Sequence, residues 1–263
     1  MKRSSIVLLF GLAIAEAACG GGGSGGGYGG GGLPPAPPTI SYANTSLPFY
    51  LPLATGNTWL FASGGSINDS GSATLSCACA YNGGAIESLD LFTPTSTYSG
   101  TLYFAKGTPF GQSDTFLVGV SQDHGTTITL VGSSTQGTQV VPGIGVMDDA
   151  PQVNELWSEG GGTSVIQSVG GTQPYGSEQI KNIAVDAITG ISNGVIQTLT
   201  WGFAQGVGFT SIDLNGQSTT LTSFSVSMTS HSVDRRVLPT NAIRAKTFDI
   251  SVILHDILQM RSY

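Results

Sequence analysis

The sequence predicts an all-β protein whose single antiparallel domain is a barrel, a half-barrel or a sandwich. Apolar and polar residues alternate in many short segments, and turn residues separate these segments about every 8 to 12 positions. Glycine is abundant, with 39 residues among 263. No segment between 45 and 229 has a sustained helical repeat, so we assign that range to one β domain.

Several segments have the alternation of a β-strand. The predicted strands cover 57–63, 73–81, 86–92, 101–106, 114–121, 126–131, 195–203, 206–214 and 219–228. Asn215-Gly216 predicts a type I′ hairpin turn, which requires positive φ at both central residues. The segment 178–188 fits a helix and a strand about equally well, and 141–162 predicts a long, irregular acidic loop.

The charge of the domain excludes one class of partner. Twelve acidic and two basic residues between 45 and 229 give a net charge of −10, and the bases are Lys106 and Lys181. A nucleic-acid-binding domain usually carries a basic stripe. We therefore expect no nucleic-acid partner, and a surface that favours solubility and attracts cations.

Residues 1–18 predict a signal peptide. Lys2 and Arg3 are followed by an apolar run at 6–15. A membrane-spanning helix needs roughly 20 residues, so this run fits the apolar core of an export signal better.

Two alanines and Cys19 end this segment. Small–small–Cys resembles the lipobox of bacterial lipoproteins, although those usually carry Leu where this chain has Glu16. The resemblance implies acylation of Cys19 and a membrane as its partner. Gly20 in place of Asp is similar to sorting to the outer membrane in a Gram-negative host. The alternative is an ordinary secretory signal cleaved near Ala18.

Residues 19–44 form the predicted tether. Gly, with one Ser and one Tyr, fills 20–32, a composition that behaves as a flexible coil. The proline-rich stretch 33–38 predicts a stiffer polyproline II segment. Together they make a spacer between a membrane and a domain.

Two motifs at opposite ends of the domain carry a further resemblance. Residues 52–59 read Pro-Leu-Ala-Thr-Gly-Asn-Thr-Trp, and 203–208 read Phe-Ala-Gln-Gly-Val-Gly before a hairpin. Both resemble segments of a widespread, largely uncharacterised group of bacterial cell-envelope lipoproteins. The resemblance implies a β fold in the envelope and no catalytic residue.

We expect the residues of these motifs to have structural roles. Trp59, Trp201 and Phe203 are predicted core residues, because large aromatic side chains contribute much buried area. Gly206 and Gly208 predict a bend or a close backbone approach within the sheet.

Cys77 and Cys79 are the first pair in the domain to consider for chemistry, because exported proteins can form disulfides. Residues two apart on a strand lie about 6.5–7 Å apart, near the limit for a disulfide. Three interpretations stay open: two small core residues, a local disulfide, or part of a soft-metal site.

The remaining candidates for chemistry are weak. His124 lies in a predicted turn, where we expect it to be exposed. The densest acidic patch, Asp148, Asp149, Glu155 and Glu159, offers oxygen ligands suited to Ca²⁺, but its spacing fits no EF-hand. A solvated loop is the simpler interpretation. We therefore predict no catalytic residue, no metal and no cofactor.

The tail, 230–263, differs in composition from the domain. Five basic and three acidic residues give it a net charge of +2, and apolar residues recur at helical spacing in 248–260. Such a segment fits an amphipathic helix docked on the domain, a membrane or a partner, and also an extended or irregular tail.

These features predict a lipid-anchored envelope protein whose β domain binds or scaffolds and is not an enzyme. Its partner would be an unknown ligand or an envelope protein. One alternative is a carrier that holds an apolar ligand in a curved sheet, which requires a dry cavity. Another is a hydrolase acting on an envelope polymer, which requires paired carboxylates or a Ser–His contact in one cleft.

Overall fold

The computed structural model describes residues 49–74, 86–107, 114–136, 139–159, 162–226, 236–237, 243–244, 253–255 and 257. All belong to one compact unit, 39–263. The predicted signal peptide, Cys19 and the whole predicted tether, as well as Cys77 and Cys79, lie outside the described residues.

The prediction of an all-β fold is confirmed. The described residues form seventeen strands of one sheet, which is antiparallel except for two short contacts. The strands are β1 (Thr58–Phe61), β2 (Ser66–Thr74), β3 (Ile86–Phe92), β4 (Tyr98–Gly107), β5 (Asp114–Ser121), β6 (Thr129–Leu130), β7 (Ser133–Gln136), β8 (Gln139–Pro142), β9 (Ile144–Asp148), β10 (Leu156–Glu159), β11 (Gly162–Tyr175), β12 (Glu178–Ser192), β13 (Val195–Ala204), β14 (Gly208–Leu214), β15 (Gln217–Ser225), β16 (Arg236–Val237) and β17 (Ile243–Arg244).

The strand order brings the two ends of the domain together. Sequential hairpins build β2–β5 and β10–β15, and β1 lies between β2 and β15. At the ends of these two series that lie away from β1, β6 pairs with β5 and β7 pairs with β10. Only two residues separate β6 from β7 in the sequence. Followed strand by strand through the described residues, the pairings do not close into a ring.

Large aromatic side chains fill the centre of the core. They are fully buried and in contact, with ring centroids 4.9 to 6.2 Å apart. The set comprises Trp59, Phe104, Trp201, Phe203 and Phe209. Such ring pairs stabilise a core beyond the area that they bury.

Gly208 makes the close packing of Trp59 possible. The Trp59 Nε1 donates to the Val207 carbonyl oxygen over 2.7 Å. Gly208 has φ +91°, and a Cβ there would lie 2.7 Å from Trp59 Nε1, so only glycine fits. Next to it, the Gly206 N–H donates to the Phe49 carbonyl oxygen over 2.9 Å, which ties the start of the described chain to this turn.

Strands occur in two segments for which the sequence predicted either an ambiguous element or an irregular loop. The segment 178–188 is part of β12, whose hairpin with β13 turns at Asn193-Gly194 with φ values of +50° and +75°. The predicted long loop over 141–162 was wrong, because it contains β9 and β10. Every residue of β9 is buried, so the strand lacks the alternation by which half-exposed strands are recognised.

The described part of the tail is helical and packs on the domain. Residues 253–255 and 257 are helical, and Ile253, Leu254 and Ile257 belong to the main hydrophobic core. Burial of these three side chains explains why the tail docks on the domain. Among the described residues, no helix has the length and hydrophobicity needed to span a bilayer.

Candidate cation-binding site

Two aspartates face each other across neighbouring strands. Asp114 begins β5, Asp148 ends β9, and the two are direct partners in the antiparallel register. Both are only 2% exposed. Like charges directly opposite each other on a sheet are destabilising, so this pair needs compensation from its surroundings.

A tight loop brings Glu155 to the same place. Asp148 Oδ1 accepts a hydrogen bond from the Ala150 N–H (2.7 Å), which turns the chain after β9. The Gln152 N–H donates to Glu155 Oε2 (3.3 Å), and the Ile166 N–H on β11 donates to the Glu155 carbonyl oxygen (3.0 Å). The first bond holds the Glu155 carboxyl group, and the second holds the Glu155 backbone against β11.

Trp157 fixes this loop against β9. Its indole ring lies so close to the Gly145 backbone that a Cβ at Gly145 would overlap the ring. Trp157 is 3% exposed and belongs to the main core. Because Gly145 and Trp157 flank Asp148 and Glu155 in sequence, this contact keeps the two ends of the loop close together.

The three carboxyl groups converge. One oxygen from each of Asp114, Asp148 and Glu155 lies within 4.8 Å of the other two. Asp148 Oδ2 is buried and has no hydrogen-bond partner. Glu155 is half-buried, which leaves the group a route to solvent.

Burial and mutual repulsion both favour protonation here. Burial first, and then the neighbouring charges of Asp148, Glu155 and Asp149, raise the pKa of Asp114 to about 7. Burial likewise raises the pKa of Glu155, and a hydrogen bond from the Gln152 backbone opposes that change.

Lys106 does not neutralise these three acids, because it pairs with a fourth. Its Nζ lies 3.0 Å from Asp149 Oδ1 and 3.7 Å from the centre of the Phe49 ring. Burial lowers the pKa of Lys106, while Asp149 opposes that effect. Lys106 therefore connects the Phe49 ring to Asp149, the residue after Asp148.

Sequence reasoning found part of this cluster. Asp148, Asp149 and Glu155 belonged to the predicted acidic patch, whereas the structure gives Glu159 only as the end of β10. Asp114 was missed as a ligand candidate, although its strand was predicted correctly. Its partnership with Asp148 depends on the β5–β9 pairing, which the supposed loop concealed.

No family model, curated protein or solved structure matches this chain. The likeness to envelope lipoproteins therefore depends on the sequence motifs alone.

The other predicted residues lie apart from this cluster. Trp59, Trp201, Phe203 and Gly208 lie in or against the aromatic core, and Gly206 lies in the turn before β14. His124 lies in an exposed turn and stacks on the Tyr98 ring, with centroids 3.7 Å apart.

A second buried acid lies inside the core. Asp186 is fully buried, and its Oδ1 accepts a hydrogen bond from Ser164 Oγ over 2.7 Å. Its other oxygen and Nε1 of Trp201, its neighbour across the β12–β13 pair, have no hydrogen-bond partner. Burial raises the pKa of Asp186 well above its ordinary value, because the charged carboxylate is poorly solvated there.

Proposed function

We propose that this chain is a lipid-anchored bacterial envelope protein whose β domain binds or scaffolds another envelope component without catalysis. The observation that carries the proposal is the position of Cys19, between an export-type segment and a Gly/Pro-rich spacer. A spacer of this kind has a clear use when a folded domain must stand away from a membrane. If the host is Gram-negative, the outer membrane is the expected location.

The packing of the domain favours binding on its outer surface over transport of an apolar ligand inside it. The five central aromatic residues are fully buried against one another. Two surface depressions, of about 610 and 490 Å³, both border His255 in the docked tail. None of the five aromatic residues lines either depression. An apolar carrier would need its cavity within that aromatic cluster.

The depth of the acidic cluster disfavours a hydrolase acting on a polymer. Asp114 and Asp148 have the paired carboxyl groups that such an enzyme needs. However, each is only 2% exposed, so a polymer chain could not reach them without displacing the loop that carries Glu155.

An exposed apolar surface supports a role in binding. The tip of the β12–β13 hairpin exposes Ile191, Val195 and Ile196 by 47%, 57% and 72%. Apolar side chains that a fold leaves grouped on its surface are commonly covered by a partner. We take this hairpin tip as the place where an envelope protein would bind.

The anchor is tested by following the full-length chain in a bacterial host fed a radiolabelled fatty acid. We expect the wild-type chain to incorporate label and to sediment with membranes, and Cys19→Ala to lose both properties. Cys77→Ala is the matched control, because it removes a cysteine from the domain and should leave labelling unchanged. An unlabelled wild-type chain, or equal labelling of Cys19→Ala, would overturn the proposal.

A further inference from the structure

We propose that Asp114, Asp148 and Glu155 bind a divalent cation, with Ca²⁺ preferred over Mg²⁺. The proposal concerns the folded domain alone, so it goes beyond the lipid anchor and is independent of it. The site joins the start of β5, the end of β9 and the loop before β10.

The spacing of the ligand atoms fits Ca²⁺. Ca²⁺ binds oxygen at about 2.3–2.6 Å, so two ligands on opposite sides of the ion lie up to about 5 Å apart. The three carboxyl oxygens lie within 4.8 Å of one another, which places them around one such ion without a change in the backbone. Mg²⁺ requires about 2.0–2.1 Å and a near-ideal octahedron, a stricter geometry than the flexible coordination of Ca²⁺.

The unpartnered oxygen of Asp148 points to a ligand independently of the acidic clustering. Asp148 is almost completely buried, with only 2% of its surface exposed. Its Oδ1 accepts the Ala150 N–H, and its Oδ2 has no hydrogen-bond partner. A buried acceptor without a donor is costly, and a cation between the carboxyl groups would satisfy it.

The charge of the cluster has two ways to be balanced. One is protonation of Glu155, which burial favours. The other is a bound cation, which favours all three carboxylates in their charged form. Lys106 pairs with Asp149, so the positive charge that these three groups lack is not supplied by that side chain.

The loop geometry suits an ion that is exchanged with solvent. Glu155 is half-buried on a loop that is hydrogen-bonded at both ends, while Asp114 and Asp148 form a rigid floor on two paired strands. Water molecules can complete the six to eight oxygen ligands that Ca²⁺ takes. We expect a dissociation constant of about 10⁻⁴ to 10⁻³ M, which is typical of extracellular Ca²⁺ modules.

The test is titration calorimetry of the full-length chain in detergent, after treatment with EDTA, with CaCl₂ and separately with MgCl₂. We expect saturable binding of one Ca²⁺ and at least about tenfold weaker binding of Mg²⁺. Glu155→Gln should weaken Ca²⁺ binding at least about tenfold. The matched control is Glu178→Gln, an exposed glutamate at the start of β12, which should bind as the wild type does.

Thermal unfolding distinguishes a cation bound at the three acids from protonation of these acids. In EDTA, Asp148→Asn should melt at a higher temperature than the wild type, because it removes a buried like charge. With 10 mM CaCl₂ the order should reverse, since only the wild type gains stability from the ion. The proposal is overturned if Ca²⁺ raises the melting temperature equally in the wild type, Glu155→Gln and Asp148→Asn, or in none of them.

Discussion

Asp69 is a buried acid outside the proposed cation site. It is 3% exposed, and its Oδ1 accepts the Gly71 N–H over 3.1 Å. Burial raises its pKa to about 7, and the charges of Glu87 and Asp90 act in the same direction. The folded protein therefore keeps a proton on Asp69 at pH values where the unfolded chain has lost it.

This difference predicts a fall in stability with rising pH. Between about pH 4 and pH 7 the folded state binds more protons than the unfolded state, so the free energy of unfolding decreases by at most about 1.4 kcal/mol per pH unit for this group. Above pH 7 the contribution should level off. Asp69→Asn should have a shallower slope, measured by urea denaturation from pH 4 to 8 in EDTA.

The slope should decrease in Asp69→Asn without disappearing, because Asp114 also has its pKa raised to about 7. Asp213→Asn, at a partly exposed position near the end of β14, is the control and should keep the wild-type slope. Parallel curves for the wild type and Asp69→Asn would contradict the assignment of a raised pKa to Asp69.

The contact between β9 and β10 depends on one glycine. Gly145 has no room for a Cβ because the Trp157 ring covers it, whereas a Cβ at Gly171 on β11 would have its nearest neighbours at 3.4 Å. Gly145→Ala should therefore destabilise the protein by about 1–3 kcal/mol, the usual effect of overpacking a core. Gly171→Ala is the control and should cause no comparable loss.

Both variants are measured by urea denaturation under the same conditions. A loss in Gly171→Ala as large as that in Gly145→Ala would show that any added methyl group disturbs this part of the sheet. The special role of the Trp157 contact would then be wrong.

At the scale of elements, the sequence was most informative for strands of seven or eight residues that turn residues bound on both sides. The limits of β3 and β5 were predicted to the residue, and the Asn215-Gly216 turn has the expected positive φ values of +52° and +85°. The same dipeptide at Asn193-Gly194 marks the β12–β13 hairpin and would have resolved the ambiguity over 178–188.

The candidate site was harder to predict for a physical reason. The pairing of β5 with β9 brings Asp114 and Asp148 together, although these residues are far apart in sequence. β9 has only five residues, follows Pro142-Gly143 and contains Gly145, so its sequence resembles a loop more than a strand. A single sequence could therefore indicate the acidic residues on the loop but not Asp114 beneath them.

The whole domain has one hydrophobic core. The core cluster contains all three tryptophans and extends from Tyr50 to Ile257. Because no separate core supports any part of the described fold, we expect the domain to unfold in a single cooperative transition. Tryptophan fluorescence and far-ultraviolet circular dichroism should give the same midpoint in urea, and two separated midpoints would contradict this expectation.

The pairing of β1 with β15 has a consequence for biosynthesis. Trp59 lies opposite Phe224, and its indole bonds to Val207, so the first strand acquires its neighbours only after the last third of the polypeptide has been made. Contacts so distant in sequence form slowly, because a long loop must close before they contribute. In an exported chain of the kind proposed here, this delay would keep the emerging polypeptide loose enough to thread through a translocation channel before it collapses.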